Sequence, residues 1–597
     1  MKKLICIIII ITSFCNISTA QWLQTSGVEG GNIKCMTYCG EDLFALTEEG
    51  IFAYRPVENI WKVLNIEGVD NSEIAFITSL GKTVYAGTKR GLYRSIDLGE
   101  TWSQTNKGFP RNQAVIAMCQ LGNIYFAATG ESVYLSSDNG TQWKNVRNNL
   151  PSNIYIKAMV IISGNIYIAT YGKGIFVTQN NADNWEDINE NQETNKFLSL
   201  AVSGSTLYAG SNRKGIYMLS NGSKTLISIN SDETKKLSAN AIVVIGSSIY
   251  IGTEKGIYIT RDNGSSWTYC ENGLPNFPKV ISLMSKGSTL YAGLETSGVY
   301  ESNNYGATWS SKNTGLKMNK IFVSSLIISN NIYFAATNGA GVFISNTNGM
   351  TWQPANQGLP PRLNVKSIEK KDTTLFIGTD NGVYFTKNNG ETWLHANLPV
   401  KFINSLMAKD SLLYAGSELG IYVTKDNGKS WTKKDSGLVN SNITCLATLK
   451  SKKKDLIFAG TNGGGIYVSY DLGNHWKYKG NSTMQTATIY SINIVNKNIF
   501  IGTNMICLLK SGNLGKSWKK TNEGLPSRIQ VRGFAIAPNE NFYLCGSTGF
   551  YYSKNKGKYW TETNIGIPII DLYAITLSKE NILLGGGKGY IYYQKIF

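Results

Sequence analysis

Histidine is almost absent from this sequence: the 597 residues contain only His395 and His475. So small a number excludes most histidine metal sites and histidine general-base chemistry. Charged residues make up 16% and proline contributes 12 residues, whereas glycine reaches 61 and tyrosine 33. This composition favours a globular β protein over a disordered chain or a helical one.

Long hydrophobic runs are missing apart from one near the start. Met1-Lys2-Lys3 precedes the apolar run Leu4–Thr12, and Ser18-Thr19-Ala20 follows it. This pattern is typical of a secretory signal peptide, so residues 1–20 are predicted to be removed by cleavage after Ala20. The mature protein is therefore expected to be secreted or periplasmic, bacterial in origin and without a membrane span.

Cysteine forms no recognisable framework. Removal of Cys6 and Cys15 would leave seven of the nine cysteines, an odd number with irregular spacing. Cys35 and Cys39, four residues apart in one strand, would be separated by roughly 13 Å, which is too far for a disulfide. Most of these cysteines are interpreted as small buried apolar residues.

Charge of one sign predominates, because 58 basic residues face 40 acidic ones and the formal net charge is +18. Lysine supplies most of this charge, since only ten residues are arginine. Two interpretations remain open. The lysines coat a soluble surface, or they attract a polyanion such as an anionic polysaccharide, a cell surface or nucleic acid.

One unit recurs through the chain about every 41 to 42 residues, the length of a four-stranded propeller blade. Most units end in a box that closes with tryptophan. The clearest boxes run from Ser95 to Trp102, Ser137 to Trp143, Arg261 to Trp267 and Lys425 to Trp431, and weaker copies end at Trp185, Trp309, Trp352, Trp393, Trp476, Trp518 and Trp560. Fourteen units predict an all-β fold of two tandem seven-bladed β-propellers, residues 21–317 and 318–597, because known rings have four to eight blades.

The middle strand of each unit carries one aromatic or apolar marker. These markers are Phe44, Tyr85, Tyr125, Tyr167, Tyr208, Tyr250, Tyr291, Tyr333, Phe376, Tyr414, Phe458, Phe500, Tyr543 and Leu583. They predict the second of four strands, here called a, b, c and d in chain order. Turns of two to five residues are expected between the strands.

The thirteen tryptophans are all used by the repeat. Eleven end boxes, Trp61 ends the first unit, and Trp22 lies in Gln21–Ser26, which matches the strand d missing from the last unit. A strand borrowed from the other terminus would close a ring. Two arrangements remain open: this strand completes blade 7 while the Trp309 strand completes blade 14, or it bridges the two rings.

The box is interpreted as a hairpin lock between strands c and d. Its Asp can accept backbone N–H bonds, and the following Asn-Gly or Leu-Gly supplies the positive φ that the turn needs. A calcium or substrate site at the box is the weaker interpretation, so no metal is predicted. No phosphate loop, nucleophile elbow or zinc spacing occurs, and no cofactor or nucleotide is predicted.

The boxes resemble the Asp-box, or BNR, repeat with the pattern Ser/Thr-x-Asp-x-Gly-x-x-Trp. The architecture is similar to that of tandem seven-bladed xyloglucanase-type glycoside hydrolases, with local similarity to sortilin-type and photosystem II assembly factor propellers. The hydrolase resemblance implies two carboxylates facing each other across the cleft between the rings, one in the b–c turn of blade 1 and one in that of blade 8. Glu48 falls at the first place; Thr337–Gly341 contains no carboxylate, and Asp380 in blade 9 is the nearest substitute.

The leading functional hypothesis is a non-enzymatic secreted scaffold that binds a protein or a polysaccharide, neutral or anionic. Its ligand would contact the face formed by the b–c turns and the d–a connections, since those turns are charged in the first seven units. The predicted binding face comprises Glu49, Lys89, Arg90, Lys173, Arg213, Lys214 and Lys255. The alternative is a glycoside hydrolase that acts in the cleft with Glu48 and Asp380 as catalytic residues. The oligomeric state is left open.

Overall fold

The computed structural model describes residues 23–24, 29–110, 112–179, 182–188, 193–220, 223, 225–270, 272–275, 278–316, 321–360, 362–450, 455–504, 506–568, 570–578 and 580–596. The predicted signal peptide, Trp22 and the predicted domain boundary after residue 317 lie outside the described residues. Strands dominate, with three single 3₁₀ turns at Asn71–Glu73, Ser482–Met484 and Gly587–Gly589. No helix in these ranges has the length and hydrophobicity needed to cross a membrane.

Seven four-stranded antiparallel sheets form the first ring, in the order a-b-c-d within each blade. Blade 1 has β2 (Ile33–Cys39), β3 (Asp42–Thr47), β4 (Gly50–Arg55) and β5 (Ile60–Leu64); blade 2 has β6 (Ile74–Leu80), β7 (Thr83–Thr88), β8 (Gly91–Ser95) and β9 (Ser103–Gln104); blade 3 has β10 (Val115–Leu121), β11 (Ile124–Thr129), β12 (Val133–Ser136) and β13 (Lys144–Asn145); blade 4 has β14 (Ile156–Ile162), β15 (Asn165–Thr170), β16 (Ile175–Thr178) and β17 (Glu186–Asp187); blade 5 has β18 (Phe197–Ser203), β19 (Thr206–Ser211), β20 (Ile216–Leu219) and β21 (Ile227–Ser228); blade 6 has β22 (Ala241–Ile245), β23 (Ser248–Thr253), β24 (Gly256–Thr260) and β25 (Thr268–Cys270); blade 7 has β26 (Val280–Lys286), β27 (Thr289–Leu294), β28 (Gly298–Ser302) and β29 (Ser310–Ser311).

Seven further sheets form the second ring. Blade 8 has β30 (Phe322–Ser329), β31 (Ile332–Asn338), β32 (Gly341–Ser345) and β33 (Gln353–Pro354); blade 9 has β34 (Val365–Lys371), β35 (Thr374–Thr379), β36 (Gly382–Thr386) and β37 (Leu394–His395); blade 10 has β38 (Ile403–Lys409), β39 (Leu412–Ser417), β40 (Gly420–Thr424) and β41 (Thr432–Lys433); blade 11 has β42 (Ile443–Leu449), β43 (Leu456–Thr461), β44 (Ile466–Ser469) and β45 (Lys477–Tyr478); blade 12 has β46 (Ile489–Val495), β47 (Asn498–Thr503), β48 (Leu508–Ser511) and β49 (Lys519–Lys520); blade 13 has β50 (Val531–Ile536), β51 (Phe542–Gly546), β52 (Gly549–Ser553) and β53 (Thr561–Glu562); blade 14 has β54 (Leu572–Leu577), β55 (Asn581–Gly586), β56 (Ile591–Lys595) and, from the other end of the chain, β1 (Leu23–Gln24).

Each ring closes on itself through its innermost strands. Strand a of every blade contacts strand a of the next, and β26 of blade 7 returns to β2 of blade 1. In the second ring, β54 of blade 14 returns to β30 of blade 8 in the same way. The Phe322 and Tyr573 rings stack at this second closure, with centroids 4.4 Å apart. The fold is therefore all-β with two tandem seven-bladed propellers, as the sequence predicts.

The N-terminal strand bridges the two rings. Strand β1 pairs antiparallel with β56, Leu23 opposite Tyr593 and Gln24 opposite Tyr592, and so supplies strand d of blade 14. Strand β29, which follows Trp309, stays with blade 7. Of the two arrangements that the sequence left open, the bridge is thus the one adopted.

The two connections between the rings run side by side. The Gly30 N–H donates to the Leu316 carbonyl at 2.8 Å, and the Gly315 N–H donates to Glu29 Oε1 at 2.8 Å. Glu29 is only 9% exposed, so this contact is shielded from solvent. The start of the first ring and its end are therefore fastened to each other at the point where the rings meet.

The core lies between neighbouring blades, where central-strand residues pack face to face. Two markers are shifted by one residue: Phe126 and Phe334, both fully buried, take the places predicted for Tyr125 and Tyr333. Phe126 and Phe334 lie three residues before Thr129 and Thr337 near the end of strand b, the spacing that the markers of the other blades also have, and two consecutive aromatic residues concealed that register in the sequence. The seven cysteines of the described residues are free thiols, and burial raises the pKa of Cys35 to about 11.

The boxes fasten strand c to strand d by hydrogen bonds. Thr260 Oγ1 donates to Asp262 Oδ1 at 2.7 Å, the Ser266 N–H donates to the same oxygen at 2.9 Å, and the Gly264 N–H donates to Thr260 Oγ1 at 2.8 Å. The Ser266 hydroxyl also donates to Asp262 Oδ2, and this bond, together with those from Thr260 Oγ1 and the Ser266 N–H, favours the charged form and lowers the pKa of Asp262 to about 2. Asparagine takes the same place in other boxes: Asn304, Asn388, Asn513 and Asn555. A charge is therefore dispensable, which agrees with a structural role for the box.

The box tryptophans join adjacent blades. The Trp143 indole N–H reaches the Thr105 carbonyl of blade 2 at 3.1 Å, and that of Trp393 reaches the Ala355 carbonyl of blade 8 at 2.8 Å. The same bond to the preceding blade is made by Trp185, Trp267, Trp431, Trp476, Trp518 and Trp560. In blade 5, the buried Leu226 occupies the position just before strand d where most blades have tryptophan, and it has no N–H group with which to make this bond.

Candidate functional site

The residue that follows strand b, or in blade 8 the last residue of that strand, occupies an equivalent place in every blade, here called the rim position. In at least nine blades its backbone N–H donates to the carbonyl of the residue just before strand a, for example Lys89 to Glu73, Tyr171 to Tyr155 and Asp380 to Asn364. Any side chain can accompany this backbone bond. The fourteen rim residues are Glu48, Lys89, Gly130, Tyr171, Asn212, Glu254, Glu295, Asn338, Asp380, Glu418, Asn462, Asn504, Ser547 and Gly587.

A cleft of about 380 Å³ opens where the rims of the two rings meet. It is here called the inter-ring cleft. The first ring contributes Gly31, Asn32, Thr47, Glu48, Glu49, Glu295 and Thr296, and the second contributes Ile321, Asn338, Gly339, Arg362 and Asn364. Three rim positions thus converge on it, from blades 1, 7 and 8, and nine of its twelve lining residues have polar side chains.

Glu48 and Glu49 both lie on the cleft wall, in the b–c turn of blade 1, and both are half-buried. The Asn32 side-chain amide donates to Glu48 Oε1 at 3.1 Å. The Glu49 N–H donates to Thr47 Oγ1 at 2.9 Å, and the Glu49 carbonyl accepts from Asn71 Nδ2 at 2.7 Å. These bonds fix the backbone of the turn and present both carboxylates at the cleft.

Glu295 is the third carboxylate of the cleft, and it is held by two cations. Its Oε1 lies 2.9 Å from Lys279 Nζ of the same ring and 2.9 Å from a guanidinium nitrogen of Arg362. Arg362 belongs to the second ring, so this ion pair crosses between the rings. Both cations thus engage the same carboxylate oxygen of Glu295, and the pair with Arg362 links the two rings.

Asp380, the second predicted catalytic residue, is absent from the cleft lining. Its Oδ2 accepts from the Asn364 side-chain amide at 2.6 Å and its Oδ1 from the Asn364 N–H at 3.3 Å. Asn364 lies on the cleft wall, and Asp380 lies next to it. The structure therefore places Glu48 in the cleft and Asp380 in a bond to the residue that lines it, and the carboxylates of the lining all come from the first ring.

The same capping contact recurs at other rim positions. The Ser238 N–H donates to Glu254 Oε2 at 2.8 Å, the Thr488 N–H to Asn504 Oδ1 at 3.0 Å, and the Gln530 N–H to Ser547 Oγ at 3.0 Å. Carboxylate, amide and hydroxyl oxygens all accept this bond from a backbone N–H of the d–a connection. The hydrogen bonds of Asp380 therefore belong to the same capping contact.

The other predicted face residues lie on b–c turns of blades 2, 4, 5 and 6 of the first ring. They are all exposed: Lys89, Arg90, Lys173, Arg213, Lys214 and Lys255. Arg90 pairs with Glu73 at 2.7 Å and donates to the Gly68 carbonyl at 2.8 Å, so its charge is engaged within its own blade. Lys214 Nζ lies 3.7 Å from Glu193.

Sequence reasoning did not select Asn32, Arg362 and Asn364 for the site. Asn32 and Asn364 lie 16 residues before the rim residues Glu48 and Asp380, on d–a connections. An alignment of the repeats at the rim position could have identified these two. Arg362, two residues before Asn364, has a positive φ of 58°, a local backbone feature that the repeat pattern does not reveal.

No curated protein matches this sequence. A family model described as the DUF6242 beta propeller domain matches residues 224–355 and, in a second match, residues 323–465. Both matches are to propeller sequence, in agreement with the fold.

Solved structures similar to the chain include two GH74 enzymes. The GH74 xyloglucanase from Xanthomonas campestris is 14% identical, with a TM-score of 0.61, and the match covers 97% of this chain and 100% of that one. The GH74 enzyme from Niastella koreensis is 15% identical, with a TM-score of 0.58 and coverages of 96% and 99%. PorZ of Porphyromonas gingivalis, described as an essential bacterial surface component of the type-IX secretion system, is 12% identical, with a TM-score of 0.50 and coverages of 96% and 87%.

The chain is thus a β-propeller protein whose fold resembles that of GH74 enzymes over nearly its whole length. At 12–15% identity, the similarity concerns the fold alone. PorZ, which is described as a secretion-system component, is also similar in fold, so activity has to be argued from the residues of the cleft.

Proposed function

We propose that the protein is a non-catalytic binding protein that holds a segment of a polysaccharide in the inter-ring cleft. The observation that carries this proposal is the set of residues that line the cleft: both rings contribute polar side chains, and only the first ring contributes carboxylates. We further propose that the protein is exported, as its N-terminal sequence pattern predicts.

Carbohydrate fits this wall chemically. Asn32, Asn338 and Asn364 can each offer a planar amide, and Thr296 offers a hydroxyl group. Amides and hydroxyls both donate and accept hydrogen bonds, as the hydroxyl groups of a sugar require. Because these groups come from both rings, a bound chain would touch both propellers at once.

Hydrolysis is less well supported than binding. An inverting hydrolase needs an acid and a base on opposite sides of the scissile bond, with carboxyl groups roughly 6.5–9.5 Å apart. The polar side chains that the second ring contributes to the cleft lining are Arg362 and two asparagines, and none of them is a carboxylate. Glu295 is held by Lys279 and Arg362.

A glycoside hydrolase is the second candidate, because Glu48 and Glu49 present two carboxylates to a cleft in a fold that GH74 enzymes share. In that case the acid and the base would both come from the first ring, an atypical arrangement. Glu48→Gln would then abolish activity. Glu254→Gln is the matched control, since Glu254 holds the same rim position in blade 6.

The test follows binding and cleavage together. Purified mature protein is incubated with a panel of neutral and anionic polysaccharides, and co-sedimentation and new reducing ends are measured on the same samples. Asn338→Arg introduces a long side chain into the cleft, whereas Asn462→Arg places it at the rim position of blade 11. Binding without cleavage, lost in Asn338→Arg and kept in Asn462→Arg, is the expected result.

Two outcomes would contradict the proposal. New reducing ends that disappear in Glu48→Gln but persist in Glu254→Gln would identify a hydrolase. Absence of both binding and cleavage across the panel would direct the search to a protein ligand, the other class that the sequence leaves open.

A further inference from the structure

Blade 4 differs from the other thirteen blades at its rim. Its rim residue is Tyr171, the one aromatic residue among the fourteen rim positions, and the carbonyl that accepts its N–H belongs to a second tyrosine, Tyr155. Both tyrosines are exposed to solvent, Tyr155 by 58% and Tyr171 by 37%. In a frame repeated fourteen times, two neighbouring exposed aromatic rings are a local departure that blade packing does not require.

Tyr171 is held in place from both ends although its ring is accessible. Its N–H donates to the Tyr155 carbonyl at 2.8 Å, and its hydroxyl accepts from Asn212 Nδ2 of blade 5 at 3.2 Å. The backbone of Tyr171 also forms a bridge with Lys196 at the start of blade 5. A ring fixed in this way loses little conformational freedom when a ligand covers it.

Two lysines flank the Tyr171 ring. Lys157 Nζ lies 6.0 Å and Lys196 Nζ 5.6 Å from the ring centroid, both within the range of a cation–π contact. Both side chains are exposed, and neither forms an ion pair with a carboxylate of the described residues. Lys173 lies in the same b–c turn as Tyr171 and adds a further exposed cation.

This group lies away from the inter-ring cleft. In a ring of seven, blade 4 is three blades from blade 1 and three from blade 7, the two blades of the first ring that line the cleft. A ligand at Tyr171 therefore uses residues that the cleft does not use.

We propose that Tyr155 and Tyr171, with Lys157 and Lys196, form a second binding site, specific for an acidic polysaccharide built from uronic acid sugars. The apolar face of a sugar ring packs on the exposed Tyr155, and its carboxylate pairs with the ammonium groups that lie beside Tyr171. Single-stranded nucleic acid fits less well, because it stacks successive bases on several aromatic faces, and the two lysines already lie over that of Tyr171.

The experiment measures binding of three probes of matched length to the full mature protein by calorimetry: an oligogalacturonate, a neutral cello-oligosaccharide and an oligodeoxythymidylate. We expect the oligogalacturonate to bind, and Lys157→Ala/Lys196→Ala to weaken its affinity about tenfold or more, since two charged contacts are lost. Lys82→Ala/Lys144→Ala removes the same charge from exposed positions outside the site and is the control. Raising the salt concentration from about 50 to 500 mM should weaken binding, because these exposed charges are screened.

Tyr155→Ala supplies an independent measurement, because this exposed ring can be removed with little effect on folding. It should weaken oligogalacturonate binding, and thermal unfolding of each variant verifies that the blade is intact. Asn338→Arg, which fills the cleft, should leave oligogalacturonate binding unchanged, so failure of the cleft proposal and failure of this one are distinguishable.

Three outcomes would overturn the proposal. Equal affinities for the oligogalacturonate and the neutral cello-oligosaccharide would show that the lysines do not select the ligand. Equal losses of affinity in the two double-lysine variants would show that only the net charge of the protein matters. Tighter binding of oligodeoxythymidylate, sensitive to Lys157→Ala/Lys196→Ala, would assign the site to nucleic acid.

Discussion

Replacing Glu369 by Gln should stabilise the second ring at pH 8 and leave it nearly unchanged at pH 4.5. Glu369 lies on β34, the innermost strand of blade 9, between β30 and β38 of the neighbouring blades. The corresponding residues of those strands are Ile327 and Met407, so the carboxyl group is placed among apolar side chains. Burial raises its pKa from 4.5 to about 7.

The magnitude follows from that difference. Below pH 4.5 the carboxyl group is protonated in both the folded and the unfolded chain, and folding carries no penalty. As the pH rises through 7, the folded protein has to ionise a buried group, and the stability present at low pH is lost. Since one pH unit corresponds to about 1.4 kcal/mol, the loss amounts to at most about 3 kcal/mol at pH 8.

The assay is thermal unfolding of wild type and Glu369→Gln between pH 4.5 and 8.5. A gain of about 3 kcal/mol should raise the melting temperature of the second ring by roughly 5–10 °C at pH 8. Glu391→Gln, an exposed glutamate of the same blade, is the matched control and should show no such pH-dependent gain. A stabilisation that is the same at pH 4.5 and pH 8, or none at pH 8, would refute the reasoning.

Three further predictions concern the contacts that hold the blades together. Trp143→Phe should destabilise the protein by about 1–3 kcal/mol in denaturant titration, because the indole bond to Thr105 of blade 2 is lost; Trp102→Phe, whose indole bonds the Gly99 carbonyl of its own box, should cost less. Asp262→Ala should destabilise more than Asp262→Asn, and wild type should lose the contribution of this carboxylate as the pH falls from 3.8 through about 2, which acid unfolding measures; equal effects of the two variants would contradict the box geometry. Deleting residues 21–28 from the mature protein should expose β56 as an edge and lower the melting temperature of the second ring, whereas an unchanged transition would contradict closure by β1.

The blades could be predicted because each contains its own signal. A box with its tryptophan, a middle strand and short turns recur at one spacing, so a degenerate box in one repeat does not change the predicted number of blades. Where the box or its tryptophan is missing, other contacts take its place in the blade. Leu226 fills the tryptophan position of blade 5, and in blade 1 the Tyr54 hydroxyl donates to Asn59 of the turn, in place of the box.

The arrangement of the rings could not be predicted in this way. The strand that completes blade 14 and the strand that completes blade 7 satisfy the same pattern, and only the pairing of Leu23 with Tyr593 distinguishes them. The ion pair between the rings joins Arg362 and Glu295, which occupy non-equivalent positions in their blades. Periodicity locates the rim positions, but it does not specify which of them meet at the cleft.

The rim position shows how this fold separates stability from recognition. Lys89, Tyr171 and Asp380 make the same backbone bond, so the frame tolerates a cation, an aromatic ring or an acid there. Where a rim side chain also caps the d–a connection, as in Asp380, its chemistry is explained by the blade alone. Where it lies exposed with unusual neighbours, as in Tyr171, the blade gives no reason for it. Since a substitution at such a position changes the stability of the blade little, a departure from the polar residues typical of the rim is best explained by a ligand.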